Sequence, residues 1–311
     1  MRRMILLLLG AALALLVACG GDSKDESTID ATPTPEASAC GPGRAHAAGE
    51  FDQTITSGGI ERQYILHVPP GYDGTQETPL VLLFHGFALN GRIMLDYTEL
   101  GDLADREGFL VVSPTGTGDP HFWNTLEGAG DVDDVLFVND LLDKLNGALC
   151  IDPNRTFATG YSNGGGMSAL LACEEPPRVH AVGLVASVYP DCAGNVPVIA
   201  FHGTADPLVA FEGRATPESG GFAFPPIRES VASLAAAVGC ATEPEVTQPG
   251  PHVELSTYNG CGLGDGAVQL YVVEGGGHTW PGGAIDLGDP AVTTQEIDAS
   301  ELIWQFFASV D

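Results

Sequence analysis

Apolar, β-branched runs recur along the chain at 62–68, 80–85, 109–113, 156–159, 181–186, 196–202 and 268–274. Each run is short and apolar at nearly every position, the pattern of strands buried on both faces. Between them lie helix-like stretches at 93–107, 134–149, 165–173, 227–238 and 299–308. In 134–149, Val135, Val138, Leu141, Leu142 and Leu145 recur three and four apart, which places them in one stripe along a helix. Strands alternating with amphipathic helices predict an α/β fold, a mostly parallel central sheet with helices on both faces. Segments 216–226 and 275–290, rich in glycine and proline, read as long surface loops. In such sheets, long loops at the carboxyl ends of strands are where ligands are placed.

The first forty residues do not share this pattern. Arg2 and Arg3 precede an apolar run over 5–18, too short to span a bilayer and typical of a secretory signal. The run ends in Leu16-Val17-Ala18-Cys19, which resembles the lipobox of bacterial lipoproteins. We therefore expect residues 1–18 to be a signal peptide and Cys19 to be lipidated; an ordinary signal peptide that happens to contain a cysteine is the alternative. Residues 19–40 are Asp, Ser, Thr, Pro and Glu with almost nothing apolar, the composition of a disordered acidic tether. No internal linker follows, so 41–311 is expected to form one domain. The protein would be exported and held on the cell envelope (outer membrane or cell surface) by acyl chains, or released outside the cell.

Composition narrows the partners. The chain carries 41 Asp and Glu against 12 Lys and Arg, a formal charge of −29. Such a surface repels phosphate backbones and anionic headgroups, so no nucleic-acid partner is expected and membrane contact is expected only through the lipid. Setting Cys19 aside leaves six of the seven cysteines, an even number that suits an oxidising compartment and allows fifteen pairings. Metal ligation is the competing use of cysteine. No CxxC pair or clustered His/Cys spacing appears, so neither a metal nor a cofactor is expected.

The chemistry is carried by Gly160-Tyr161-Ser162-Asn163-Gly164, a G-x-S-x-G sequence. Composition alone would produce roughly 0.24 such matches, so the motif gains its weight from context. A strand-like run precedes it and a helix-like run follows, the setting in which a serine is presented on a sharp turn at a helix start. The bland alternative is a glycine-rich helix start with a capping serine. A serine hydroxyl becomes nucleophilic only when a base takes its proton, and the base needs a carboxylate to orient it. In this setting they follow in the order Ser, Asp or Glu, His. Asp206 closes Phe201-His202-Gly203-Thr204-Ala205-Asp206, and His278 hangs in the glycine-rich 275–283 loop; both come directly after apolar strands. Asp191 and Asp265 compete for the acid role, and an Asp before Pro207 is often only a turn former. His202 reads as structural, and His180 and His252 as packing or surface residues. Asp133 and Asp134 read as the first turn of a helix.

Acyl transfer also needs donors for an oxyanion. One is expected from the backbone N–H of Asn163. The other is expected from the loop after the 80–85 strand, His85-Gly86-Phe87, with the Phe87 N–H preferred over Gly86. His85 is expected mainly to prop this loop, and it also joins Trp123 and Trp280 as a candidate for lining the substrate site. The two tryptophans would stack on an aromatic acyl group or a sugar ring, with packing against long loops as the alternative.

From about Phe51 onward the chain resembles the secreted polyhydroxybutyrate depolymerase-like and feruloyl esterase-like enzymes, α/β-hydrolases of carbohydrate esterase family one. The resemblance rests on 80–86, Phe122-Trp123-Asn124, Val132-Asp133-Asp134-Val135, Cys150-Ile151-Asp152-Pro153-Asn154-Arg155, 160–167, 202–206 and 275–283. It implies Ser162 as nucleophile, Asp206 as orienting acid and His278 as base. Together with the order of the elements it implies the pairings Cys40–Cys150, Cys173–Cys192 and Cys240–Cys261. The implied substrates are feruloyl or acetyl esters on plant polysaccharide, or short hydroxyalkanoate esters, handled by a monomer. One departure is Phe87, where many relatives carry cysteine after His-Gly. A peptidase or dienelactone-type hydrolase with the same triad, and a non-catalytic surface binder, remain the alternatives.

Overall fold

The computed structural model describes residues 40–125, 131–187, 196–214, 223–285, 287 and 292–310. The expected signal, Cys19 and the tether as far as residue 39 lie outside the described residues, as do Asp191 and Cys192; Cys40, given to the end of the tether, is described and bound to the domain.

The chain enters through a hairpin of β1 (Gly49–Ser57) and β2 (Ile60–Val68), continues through β3 (Thr78–Phe84), α1 (Gly91–Thr98) and α2 (Leu100–Glu107), and returns as β4 (Leu110–Pro114). Then follow α3 (Asp134–Ala148), β5 (Ile151–Tyr161), α4 (Asn163–Ala172), β6 (Val182–Val185), β7 (Val198–Gly203) and α5 (Ile227–Ala237). A second hairpin of β8 (Glu245–Gly250) and β9 (Val253–Tyr258), then β10 (Val268–Val273) and α6 (Ala299–Ala308), complete the domain. The strands form one sheet in the order β1-β2-β4-β3-β5-β6-β7-β10-β9-β8. Its six middle strands, β4 to β10, are mutually parallel. The outer pair on each side is antiparallel. A mostly parallel sheet is what the pattern predicts, and the whole is the α/β-hydrolase fold that the resemblance implied.

Alternation along the strands divides the core in two. Leu80, Leu82 and Phe84 face a layer with Phe137, Leu141 and Leu145 of α3, Met167 of α4, and Val231 of α5. Val81 and Leu83 face the opposite layer, with Leu95 of α1, Leu103 of α2, and Ile303 and Phe307 of α6. Successive residues of a strand point to opposite faces, so one sequence run serves both cores. Because the middle strands are parallel, the loops after β3, β4, β5, β7 and β10 all leave from one edge of the sheet. That edge is where the candidate residues gather.

Five elements depart from the sequence reading. The apparent helix over 93–107 is two helices, broken at Glu99, whose φ of 50° is left-handed. Strands β1, β8 and β9 are additional, and β5 begins five residues earlier than its apolar run. Cys40–Cys150 and Cys240–Cys261 are disulfides, as the resemblance implied. Cys173 is also disulfide-bonded, while the implied Cys173–Cys192 pair lies outside the described residues through Cys192.

Candidate active site

Ser162 occupies the turn between β5 and α4 with φ 54° and ψ −117°, a conformation that an L-residue holds only when its surroundings force it. The flanking glycines make the turn possible. A Cβ on Gly160 would collide with the Gly164 backbone, and one on Gly164 would collide with the carbonyl groups of Phe84 and His85. Such close backbone approach is open to glycine alone. The Ser162 N–H donates to the Val185 carbonyl at 2.8 Å, which fastens the turn to β6. Its hydroxyl makes no hydrogen bond among the described residues and stands at the start of α4, the positive end of the helix dipole.

Asp206 and His278, 72 residues apart, meet: the His278 Nδ1–H donates to Asp206 Oδ2 at 2.7 Å. The other carboxylate oxygen accepts the N–H groups of Leu208 and Val209, both at 2.8 Å. Burial pushes this carboxyl up. The bond and charge of His278 and the two main-chain donors outweigh burial and hold it below the ordinary carboxylate range. With Nδ1 donating to the carboxylate, Nε2 of His278 carries the lone pair that a base requires.

Two tyrosines grip the histidine loop. Tyr161, the residue before the serine, donates its hydroxyl to the His278 carbonyl at 2.5 Å, and its ring lies 5.1 Å from the imidazole. Burial holds this phenol well above its ordinary pKa, so it stays a donor. Tyr97 of α1 accepts the Trp280 N–H at 2.7 Å. The serine turn and the histidine loop are thus tied through Tyr161 rather than by a serine–histidine bond. Such catalytic bonds commonly tighten only when substrate is present.

The N–H groups of Phe87 and Asn163 donate to nothing among the described residues, as an oxyanion site requires. The Phe87 loop is held in place by its neighbours. Ala88, at φ 64°, donates its N–H to the His121 carbonyl at 2.8 Å. His85 is fully buried, donating from Nδ1 to the Gly86 carbonyl at 2.7 Å and accepting the Gly116 N–H at Nε2 at 2.9 Å. Burial pushes this imidazole down to about 4, so it stays uncharged. Asn163 is fixed by a two-way exchange with the Trp123 backbone: its Oδ1 accepts at 2.7 Å and its Nδ2 donates at 3.0 Å.

Burial corrects the expected substrate-lining residues. Trp123 and Trp280 are each 1% exposed and cannot stack on a ligand. Trp123 packs edge-on against Phe84 and donates Nε1–H to the His85 carbonyl. Trp280 donates its indole N–H to Ser300. His85, enclosed and with both nitrogens bonded, props the loop and does not reach substrate. Phe87, by contrast, is 60% exposed. Asp265 accepts the Gly260 N–H within its own turn and is no partner of His278.

Asp133 caps α3, as the sequence reading has it, but Asp134 does more than open the helix. It is buried, bonded to Arg62 at 2.7 Å and to the backbone and side-chain N–H groups of Asn124 at 2.8 and 3.0 Å. The Arg62 guanidinium lies 3.8 Å from the centre of the Phe137 ring. This pair anchors the segment that carries Trp123, and through it Asn163. Sequence reading missed it, along with Tyr161 and Tyr97, because no spacing rule says where a tyrosine hydroxyl or a buried arginine points.

The chain is similar to known proteins. A family described as Esterase PHB depolymerase matches residues 62–209, a stretch that holds the serine turn and Asp206 and stops before His278. A putative esterase, NocK, of Nocardia uniformis subsp. tsuyamanensis is 30% identical over 74% of this chain and 73% of its own length. A probable feruloyl esterase C of Aspergillus oryzae is 28% identical over 79% of this chain and 84% of its own. Among solved structures, an acetyl xylan esterase from Aspergillus awamori shares the fold with a TM-score of 0.57 at 14% identity, over 84% of this chain and 99% of that one.

Proposed function

This chain belongs to the PHB depolymerase-type esterase family and is a carboxylic ester hydrolase; from that premise we propose that it cleaves feruloyl and acetyl esters of plant polysaccharide through Ser162, His278 and Asp206. The 2.7 Å bond between Asp206 and His278, at the ends of the neighbouring parallel strands β7 and β10, carries this reading. Ser162 attacks the ester carbonyl while His278 Nε2 takes its proton and Asp206 stabilises the resulting imidazolium. The free N–H groups of Phe87 and Asn163 receive the oxyanion, where one such donor contributes on the order of 3 kcal/mol. His278 then protonates the leaving alcohol, and water repeats the sequence to release the acid.

The names of two relatives, feruloyl esterase C and acetyl xylan esterase, support the choice of acyl groups. Short hydroxyalkanoate esters are the competing substrate, favoured by the family's description. A fluorophosphonate probe tests the nucleophile: wild type should be labelled and Ser162→Ala should not. Equal labelling of both would end this assignment. Initial rates on methyl ferulate, acetylated xylan and a hydroxybutyrate oligomer then test the substrate. The oligomer turned over fastest would overturn the polysaccharide reading.

Export belongs to the same proposal. The disulfides Cys40–Cys150 and Cys240–Cys261 fit an oxidising compartment, and lipid attachment at Cys19 rests on the sequence before it. Palmitate labelling that is lost in Cys19→Ser would support the anchor, and labelling that survives would refute it.

A further inference from the structure

His202 is a buried histidine that the reaction above leaves without a task. It lies on β7, four residues before Asp206, with its side chain wholly enclosed. Its Nε2 is 2.8 Å from the Val209 carbonyl oxygen and 3.4 Å from Asp206 Oδ2. A carbonyl oxygen only accepts, so Nε2 bears the proton and donates it to Val209, with Asp206 Oδ2 close beside that bond. Nδ1, buried and without a partner among the described residues, is then a lone pair. Two titratable groups act on the ring: Asp206 favours its cation and His278 opposes it. Burial exceeds both and holds the imidazole below its ordinary pKa.

Val209 closes the arrangement. Its N–H donates to Asp206 Oδ1, and its carbonyl accepts from His202. His202 therefore bears on both carboxylate oxygens, on Oδ2 by the nearness of its N–H at 3.4 Å and on Oδ1 by fixing the residue that donates to it. We propose that His202 is a positioning residue of the Asp206–His278 pair, an uncharged Nε2–H imidazole that holds the carboxylate in the orientation His278 Nδ1 requires. This inference rests on the esterase reading for its kinetic consequence but not for its geometry. Without the donor, the carboxylate loses part of its stabilisation and draws the His278 proton more strongly. The acid limb of kcat/KM should then move to higher pH.

The test compares His202→Leu, which has no donor, with His202→Gln, whose amide offers one. On p-nitrophenyl acetate, His202→Leu should lose about tenfold or more in kcat with KM within about twofold, and its acid limb should rise by about half a pH unit. His202→Gln should recover most of the rate and return the limb to its wild-type position. A folded His202→Leu protein with wild-type kcat and an unmoved limb would overturn the proposal. Should that variant fail to fold, ¹⁵N NMR of the wild-type imidazoles decides. The expected result is one ring in the Nε2–H form that stays uncharged where an ordinary imidazole has taken up its proton; a cationic or Nδ1–H form at His202 at neutral pH would refute the assignment. If wild type neither hydrolyses esters nor reacts with the fluorophosphonate probe, the esterase reading fails, and the NMR result still judges His202.

Discussion

The hydroxyl of Tyr161 donates to the main-chain carbonyl of His278 at 2.5 Å, so the residue beside the candidate nucleophile holds the loop that carries the candidate base. Tyr161→Phe removes one oxygen and leaves that carbonyl unpaired in a partly buried position, a change worth about 1 kcal/mol. Since displacement of a catalytic group by about 1 Å can cost on the order of 100-fold in rate, kcat should fall by about 10- to 100-fold while KM changes little. Tyr97→Phe, which loses the acceptor for the Trp280 N–H, should act in the same direction. Steady-state kinetics on p-nitrophenyl acetate, with thermal unfolding as the check on folding, would measure both; unchanged kcat in both variants would show that the loop holds itself.

Asn163 tests a different support. Its side chain trades two hydrogen bonds with the Trp123 backbone, and its own N–H is one of the two proposed oxyanion donors. Asn163→Ala keeps the N–H but releases the side-chain tie. We expect a fall in kcat of about tenfold, smaller than the full loss of an oxyanion donor, which costs about 100- to 1,000-fold. A 1,000-fold loss would mean that the turn itself collapses without Trp123.

How far the sequence could be read follows from which physical pattern each feature leaves. The middle strands are buried on both faces, so they announce themselves as apolar runs, and Asp206 and His278 are visible because they stand at the ends of such runs. Strand β8 is almost wholly exposed and leaves no such run. β1 alternates between half-buried and exposed positions until the buried Ser57 at its end, yet Gly58 and Gly59, with φ 55° and 81°, are a hairpin signal for it. The break at Glu99 leaves no trace, because 93–107 keeps its helical period across it. Trp123 and Trp280 leave no distinguishing mark: a tryptophan in a loop near a mouth has the same sequence appearance whether it meets a ligand or packs beneath the loop.

The Arg62–Asp134 pair is buried on both sides and supports the Trp123 segment. Removing one partner of such a pair strands the other charge, which typically costs about 3–5 kcal/mol. Asp134→Ala should therefore destabilise strongly in urea unfolding, and Arg62→Met, which leaves Asp134 stranded, should do the same. The double variant Arg62→Met/Asp134→Leu should recover part of the loss. Additive losses in the double variant would show that the two residues act separately.

Acid should weaken this fold before its carboxylates titrate, and His85 supplies the reason. In the unfolded chain its pKa is near 6.5; in the fold, burial lowers it to about 4. Between those values the unfolded chain takes up a proton that the folded chain refuses, so stability falls as pH drops through this window and levels off below about 4. The drop from this one residue is about 3 kcal/mol. His202, lowered by burial, adds to it in the same direction. Asp206 contributes in a lower window, since its stabilisation disappears only as pH falls below the ordinary carboxylate value of 3.8. The exposed His252–Glu296 contact raises the imidazole above 6.5, so its contribution is already complete at the top of the window and adds no slope within it. Urea unfolding at pH 7 and pH 4.5 should thus show a marked loss for wild type and a smaller one for His85→Gln. Equal losses in the two proteins would mean that His85 charges within the fold and that the loop it props can open to admit water.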